Sequence, residues 1–401
     1  MLRGQLLTGF GMIAMVAIAL STGPAPAEDS ADHAVKIGLI LPMTGQQAST
    51  GKQINAAVQL FVKQHGAQVA GKTVEVILKD DASLPDNTKR LAQELIVNDR
   101  VAVIAGFGIT PSALSAAPLA TQAKIPEVVM AAGTSVITER SPYIVRTSFT
   151  LPQSSVIMAD WAAKNGIKKV VTIVSDYAPG IDSENSFRGR FVADGGTIVD
   201  AIRVPFQNPD FSPFLQRARD DAPDAVFVFV PSGQGGTFVK QFIERGLSNA
   251  GIKFICTGDV TADDQLNGMG DAVIGTISAG PYTAAHPSQE NQSFVTAFKQ
   301  ANGGLRPNFM AVGGYDGMHL IYAALEATKG VSNGDALLAA MKGMAWESPR
   351  GPISIDPRTR DIVQNIAIRK VEKRDGELYN VEFETFKDVK DPAKAAMAEK
   401  N

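Results

Sequence analysis

VAVIAGFGITPSALSAAPLATQAKIPEVVMAAGTS, running from Val101 to Ser135, reads as strand, turn, helix, strand, turn. An apolar run ends in Gly106, a Gly/Thr/Pro turn follows, and an Ala/Leu helix is predicted from about Ser112. Glu127 to Met130 forms the next strand, ahead of Ala131-Ala132-Gly133-Thr134-Ser135. Thr110 is suited to cap the helix, and Pro111 as first helical residue lacks only an N–H that would have had no acceptor. Apolar strands alternating with helices build a parallel sheet, and both turns then lie at its carboxyl edge. Helix N-termini present free N–H groups and partial positive charge there, so two adjacent turns rich in small hydroxyl residues point to a small-anion or carboxylate site. Either turn alone would be ordinary in an α/β protein; the adjacency carries the argument.

The pattern extends in both directions. Upstream, Val35 to Leu41 is a continuous apolar strand, as expected of one covered on both faces, and it runs into the turn Pro42 to Gly51. Lys52 to His65 and Asn87 to Asn98 have helical periods, and Thr73 to Lys79 alternates as a strand ending in Asp80-Asp81. Tyr143 to Ser148 is a strand-like crossing. A second unit repeats the alternation, with strands at Lys169 to Ser175, Thr197 to Val204, Ala225 to Val230 and Ile252 to Cys256. Helices are predicted between them at Gln153 to Asn165, Asp182 to Ala193, Phe211 to Asp220 and Thr237 to Gly246. Helices return at Gln289 to Ala301, Asn308 to Thr328 and Asn333 to Lys342. Two antiparallel strands, Ile362 to Val371 and Glu377 to Phe386, then turn at Arg374-Asp375-Gly376, and the tail from Lys387 reads as a frayed helix. The expected fold class is α/β, with two doubly wound parallel-sheet lobes whose loop edges face each other across a ligand cleft.

A chain of 401 residues, 45% hydrophobic and 20% charged, has material for two domains. Lys+Arg 38 against Asp+Glu 41 gives a net charge of −3, which calls for neither nucleic acid nor an anionic membrane surface. Arg3, the apolar run Met12 to Leu20 and the small residues ending in Ala25-Pro26-Ala27 have the three-part form of a secretory signal, so residues 1–27 are expected to be cleaved near Ala27. That run is too short for a comfortable span and is broken by Ser21, Gly23 and Pro24. Cys256 is the only cysteine and sits at an apolar strand end, where an inert buried thiol is expected.

Enzymatic constellations are missing. Gly45 to Lys52 imitates a phosphate loop, but five residues separate its glycines and Gln53 stands where Ser or Thr is needed. Gly233-Gln234-Gly235 has Phe238 where a dinucleotide fingerprint needs glycine, no Gly-x-Ser-x-Gly elbow occurs, and His33, His65, His286 and His319 lack zinc spacing. Neither enzyme activity, nor a metal, nor a cofactor is expected. What remains are polar residues at strand ends: Thr44, Thr50, Thr110, Ser112, Ala131 to Ser135, Asp176 to Asp182, Ser232 to Gln234 and Asp259. A cleft can leave the hydrogen-bond partners of such groups to a ligand.

Several segments resemble a known family, and they do so in order. Val35 to Gly45 with the Gly51 turn is similar to the opening of the branched-chain amino-acid (leucine/isoleucine/valine-binding) members of the type I periplasmic solute-binding family of ABC transporters. Ala105-Gly106 with Thr110, Pro126 with Ala131 to Thr134, Tyr143 with Arg146-Thr147, Pro223 to Val226, and Gly314-Tyr315-Asp316 match further. The resemblance implies two lobes joined by three crossings, near Phe149, near Thr283 and between Met344 and Arg360. Residues 28–149 with 284–345 would form one lobe, 150–283 with 346–388 the other, and 389–401 a tail. It implies a periplasmic monomer that closes on a small solute, an amino acid or related carboxylate, and delivers it to an inner-membrane ABC permease. Thr110 and Ala131 to Gly133 would hold the carboxylate, and Asp259 would meet an ammonium. The full ligand-binding set is then Thr50, Thr110, Ala131, Ala132, Gly133, Thr134, Tyr177, Pro179, Ser232, Gln234, Asp259 and Tyr282.

Three departures shift that expectation. Thr50 replaces a frequent aromatic, Pro179 stands where a ligand-touching tyrosine is usual, and Ser232 and Gln234 lie near another such position. They leave room for a differently shaped ligand, such as an aromatic carboxylate or an amide. Arg146 could salt-bridge such an acid, but its match to the crossing points to a structural role. Two other classes fit less well: a cytoplasmic ligand-sensing regulator is opposed by the export signal, and a secreted α/β hydrolase lacks a nucleophile and base.

Overall fold

The computed structural model describes Met1 and residues 34–398, so the expected signal and its cleavage point lie, Met1 apart, outside the described residues. The first sheet comprises β1 (Ala34–Leu41), β2 (Gln68–Val69), β3 (Lys72–Asp80), β4 (Val103–Gly106), β5 (Glu127–Val129) and β6 (Ile144–Arg146), in the order β2-β3-β1-β4-β5-β6. Only the short β2 is antiparallel to its neighbour. Between these strands run α1 (Ala48–His65), α2 (Pro85–Val97) and α3 (Thr110–Ala123). Successive side chains of a strand face opposite ways. Ile37, Leu39 and Leu41 of β1 therefore join Ile54, Val58 and Phe61 of α1 on one face, while Ile40 packs on the other with Leu95 of α2 and Ala116 of α3.

The second sheet starts with the parallel strands β7 (Lys169–Ser175), β8 (Thr197–Val204), β9 (Ala225–Phe229), β10 (Lys253–Thr257) and β11 (Ile277–Gly280). Their helices are α4 (Leu151–Lys164), α5 (Ala178–Ala193), α6 (Ser212–Asp220), α7 (Gly235–Glu244) and the short α8 (Leu266–Met269). The chain then returns to the first lobe as α9 (Gln289–Ala301), α10 (Phe309–Ala327) and α11 (Gly334–Met341). At Gly313 of α10 an added Cβ would fall 2.3 Å from the Met130 carbonyl oxygen, so glycine is what lets this helix lie against the strand end. Finally β12 (Ala345–Ser348), β13 (Gly351–Ile355), β14 (Ile362–Arg374) and β15 (Glu377–Val389) complete the second sheet in antiparallel fashion. Two doubly wound lobes, each made from separated pieces of chain, are the outcome. Asp375 (φ 50°) and Gly376 (φ 84°) are both left-handed, as a two-residue hairpin turn requires.

Two local expectations need correction. Ile109, not Thr110, occupies the N-cap of α3, and Thr110 is already helical, which frees its hydroxyl to meet Thr134 instead of capping. The tail does not fray from Lys387: β15 continues to Val389, and α12 (Pro392–Ala398) docks with Asp391 and Lys394 buried. The reason is a buried ion pair 2.5 Å long between Lys394 Nζ and Asp361 Oδ2, beside a second one, at 3.0 Å, between Arg146 and Asp361.

Glu127 on β5 is fully buried, and neither carboxylate oxygen has a hydrogen-bond partner among the described residues. Burial pushes its pKa well above the usual glutamate value, so the folded state binds a proton that the unfolded state releases. Stability is then lost as pH rises from the ordinary glutamate range towards the folded value. Glu127→Gln is expected to melt about 2 °C or more above the parent at pH 8, with the gap closing towards pH 4 in a thermal melt series.

Candidate functional site

Turns at the carboxyl ends of β1, β4 and β5 meet turns at the ends of β7, β9 and β10. The first lobe contributes Thr50 from the first turn of α1, Thr110 from the first turn of α3, and Ala131, Ala132 and Gly133 after β5. Tyr177, Pro179, Ser232 and Asp259 face them from the second. In this closed arrangement the cavity is about 30 Å³, room for about one water and far below the ~300–1,000 Å³ of small-molecule sites. Solute entry therefore requires the lobes to part. A larger groove of about 780 Å³ between α7 and α8 is open to solvent and lined from one lobe alone.

Nine of the twelve expected residues thus line one cavity. Thr134 stands directly behind, its hydroxyl 2.8 Å from that of Thr110, both buried. Arg146 organises the same loop: its guanidinium donates to the carbonyls of Thr134 (2.7 Å) and Phe149 (3.1 Å), which fulfils the structural role expected of it. Gln234 and Tyr282 are off the cavity. Gln234 donates instead to the Phe206 carbonyl at 2.9 Å, and Tyr282 is buried in the apolar cluster that holds Phe229 and Val174. Sequence reasoning missed Gln47, Phe149, Leu151, Phe229 and Met310, which also line the cavity, as do Gly108, Ile109 and Pro231. All but Gln47 are apolar and indistinguishable by type from core; Phe149 alone had a signal, as it marks the first crossing.

The two ends of the cavity differ in chemistry. At the first-lobe end, the opening turn of α3 has N–H groups without intrahelical acceptors and the positive end of the helix dipole, beside the Thr110 hydroxyl. The second-lobe end is aromatic. Tyr177 packs at 4.4 Å from Phe206 and 6.1 Å from Phe229, ring centre to ring centre. Gly180, in the first turn of α5, lets the helix start close to β7, because an added Cβ would lie 1.9 Å from the Ser175 carbonyl oxygen. Asp259 closes this end. Its carboxylate accepts from Thr257 Oγ1 at 3.2 Å and makes no ion pair among the described residues, and burial pushes its pKa up to about 7. The Tyr177 hydroxyl is likewise driven upward, first by burial and then by Asp259. Ser232 Oγ and Gln47 Nε2 are buried on the lining without a protein partner among the described residues. No group of three or more metal-ligating side chains occurs among the described residues.

A sequence profile of the family described as periplasmic binding protein matches residues 34–377. The chain is a type I periplasmic binding protein of the branched-chain amino-acid group. As such it is a solute-binding protein of the ABC-transporter kind, and membership implies export to the periplasm. A curated relative, Leu/Ile/Val-binding protein homolog 6 of Brucella melitensis, is 43% identical over 362 residues, 89% of this chain and 93% of its own. Among solved structures, a solute-binding protein of an ABC transporter from Rhodopseudomonas palustris BisB5, in complex with 3,4-dihydroxybenzoic acid, is 70% identical. It superposes with a TM-score of 0.89 over 90% of this chain and 99% of that one. Another from strain HaA2, in complex with p-hydroxybenzoic acid, is 45% identical, with a TM-score of 0.88 over 90% and 100% of the two chains.

If the α3 end of this binding protein takes the anion, Thr110→Ala is expected to raise the dissociation constant for whichever of leucine and 4-hydroxybenzoate the parent binds about tenfold in calorimetric titration, the scale of one charge-assisted hydrogen bond. The melting temperature should move by about 2 °C at most, since one buried hydroxyl contact is lost. Unchanged affinity would remove the carboxylate from this end.

Proposed function

We propose that the protein captures a ring-hydroxylated benzoate in the periplasm and hands it to an inner-membrane ABC permease, as a monomer, without chemical change, after cleavage of its leader near Ala27. The observation that carries this reading is the second-lobe end of the cavity: aromatic walls from Tyr177 and Phe229, ending in a carboxyl held near neutrality. The ligand carboxylate would lie against the α3 N-terminus with Thr110 and the turn Ala131 to Gly133. Its ring would fill the space between Phe149 and Tyr177, and its hydroxyls would face Asp259 and Ser232. Phenol and carboxyl suit each other here. Burial raises the Asp259 pKa, and a carboxyl there can accept from a phenolic O–H when ionised or donate to it when protonated. The 70% and 45% identical solute-binding proteins holding dihydroxy- and hydroxybenzoic acids support the same class.

Closure needs no covalent step: the ligand touches both lobes only when they are shut, so binding shifts the population from open to closed. In a thermal-shift series 4-hydroxybenzoate and 3,4-dihydroxybenzoate at about a hundred times their dissociation constants should add about 2.7 kcal/mol of stability, and leucine none. Asp259→Asn should keep hydroxybenzoate affinity within about tenfold, while Asp259→Ala should lose the preference over unsubstituted benzoate. Stabilisation by leucine, abolished in Asp259→Asn, would instead identify an amino-acid binder with Asp259 on the ammonium.

A further inference from the structure

We propose that Asp264, which lines no part of the ligand cavity, is a latch that holds the lobes closed and so sets the affinity for any ligand. The idea rests on two-lobe capture; the benzoate reading enters only in the choice of probe.

Asp264 stands in the loop between β10 and α8, five residues beyond the cavity residue Asp259. The second lobe holds this loop firmly. Asp263 Oδ1 accepts from Thr283 Oγ1 and from Asn380 Nδ2, each at 3.2 Å, and Asn380 Nδ2 also donates to the Thr261 carbonyl at 2.8 Å. From that fixed base the Asp264 carboxylate reaches the first lobe. Oδ2 accepts from Ser49 Oγ at 3.0 Å, in the first turn of α1, and Oδ1 accepts from Asn308 Nδ2 at 2.8 Å, the N-cap of α10. Asn308 is itself oriented, because its Oδ1 accepts from the N–H groups of Met310 (2.9 Å) and Ala311 (3.2 Å). A carboxylate is thus placed at the N-terminal ends of two first-lobe helices, where negative charge is favoured.

The neighbouring residue on the first-lobe side reaches across as well. The Arg306 carbonyl accepts from Gln53 of α1, while its guanidinium donates to Leu378 O at 2.5 Å and Glu377 at 3.0 Å on β15 and lies 4.1 Å above the Tyr379 ring. Latch and cavity are mechanically linked by sequence adjacency. Thr50, next to Ser49, and Met310, two residues after Asn308, both line the cavity. The movement that brings them onto a ligand also brings Asp264 onto its donors. Partial burial raises the Asp264 pKa against the pull of Asn308 and Ser49, so without these donors closure would leave a poorly solvated carboxylate.

Apparent affinity is the intrinsic affinity scaled by the closed fraction, so loss of a latch weakens every ligand by one common factor. Asp264→Ala and Ser49→Ala are each to be titrated with 4-hydroxybenzoate, benzoate and leucine, with dissociation rates from stopped flow. The expected result is a rise in dissociation constant of about tenfold for Asp264→Ala and a smaller rise for Ser49→Ala, carried by faster dissociation, with the ratio between ligands unchanged. Ser49→Ala leaves the carboxylate and its loop intact, and therefore reads the contact even where Asp264→Ala folds poorly. Unchanged constants in both folded variants, or a change in the ratio between ligands, would overturn the latch. Binding of leucine alone by the parent protein would overturn the benzoate reading and leave the latch to be judged on leucine.

Discussion

Arg350, in the turn between β12 and β13, is the tie on which the two-lobe arrangement hangs. Its fully buried guanidinium pairs with Asp316 of α10 at 2.7 Å and donates to the carbonyls of Thr147 (3.0 Å) and Ser148 (2.7 Å) and to Gln364 Oε1 (2.8 Å). One side chain thereby joins the first crossing, the third crossing, a first-lobe helix and a second-lobe strand. Ser348 and Trp346 bring further donors to the same aspartate, at 2.9 and 3.1 Å. A buried charge pair of this kind costs desolvation to form and is strongly destabilising to break from one side. Its contribution is to fix where the crossings pass. Charge this deep is tolerated because the guanidinium has carbonyl acceptors as well as a counter-ion.

The lobes close on a site whose two ends follow from different physics. The α3 end works by backbone geometry: a helix start, with Thr110 and Thr134 hydroxyls in contact behind it. The opposite end works by exclusion of water. Tyr177 and Phe229 share the lining with Asp259, whose burial raises its pKa to about 7. The loop from Asp259 to Asp264 carries both this group and the interlobe contact to Ser49.

The fold was largely legible in the sequence because its parallel strands are covered on both faces and read as mostly apolar runs; Val35 to Leu41 and Lys169 to Ser175 needed no periodicity argument. Helix starts were less legible. α1 and α5 begin four residues before their predicted starts, which draws Thr50 and Pro179 into first turns. Neither has a side-chain hydrogen bond at its N-cap to mark the boundary, and Pro179 itself supplies the helical start. β12 and β13 were invisible, since each is short and broken by glycine, proline or polar residues. In the site, hydroxyl and acidic residues at strand ends announced themselves, but Phe149, Leu151, Phe229 and Met310 did not, because an apolar side chain facing a cavity has the same character as one facing a core. Gln234 and Tyr282 misled for the converse reason: closeness in sequence to a cleft turn does not settle which way a side chain points. Asp316 belonged to a recognised motif, yet its role required Arg350, 34 residues away.

The chain's path has a consequence for assembly. The first sheet lacks its covering helices α9 to α11 until residue 341 has arrived, and the second lacks β14 and β15 until residue 389. A polypeptide delivered from its amino end, by ribosome or by translocation channel, can finish neither half while most of its length is already through. Contacts such as Arg146 with Asp361 and Ser135 with Asp391 span more than two hundred residues and need both ends of the chain in place. Closing loops of that length before any reward is a slow route to the native state. Slow acquisition of structure keeps such a chain threadable for longer, a useful property in one that must cross a membrane before it can do its work.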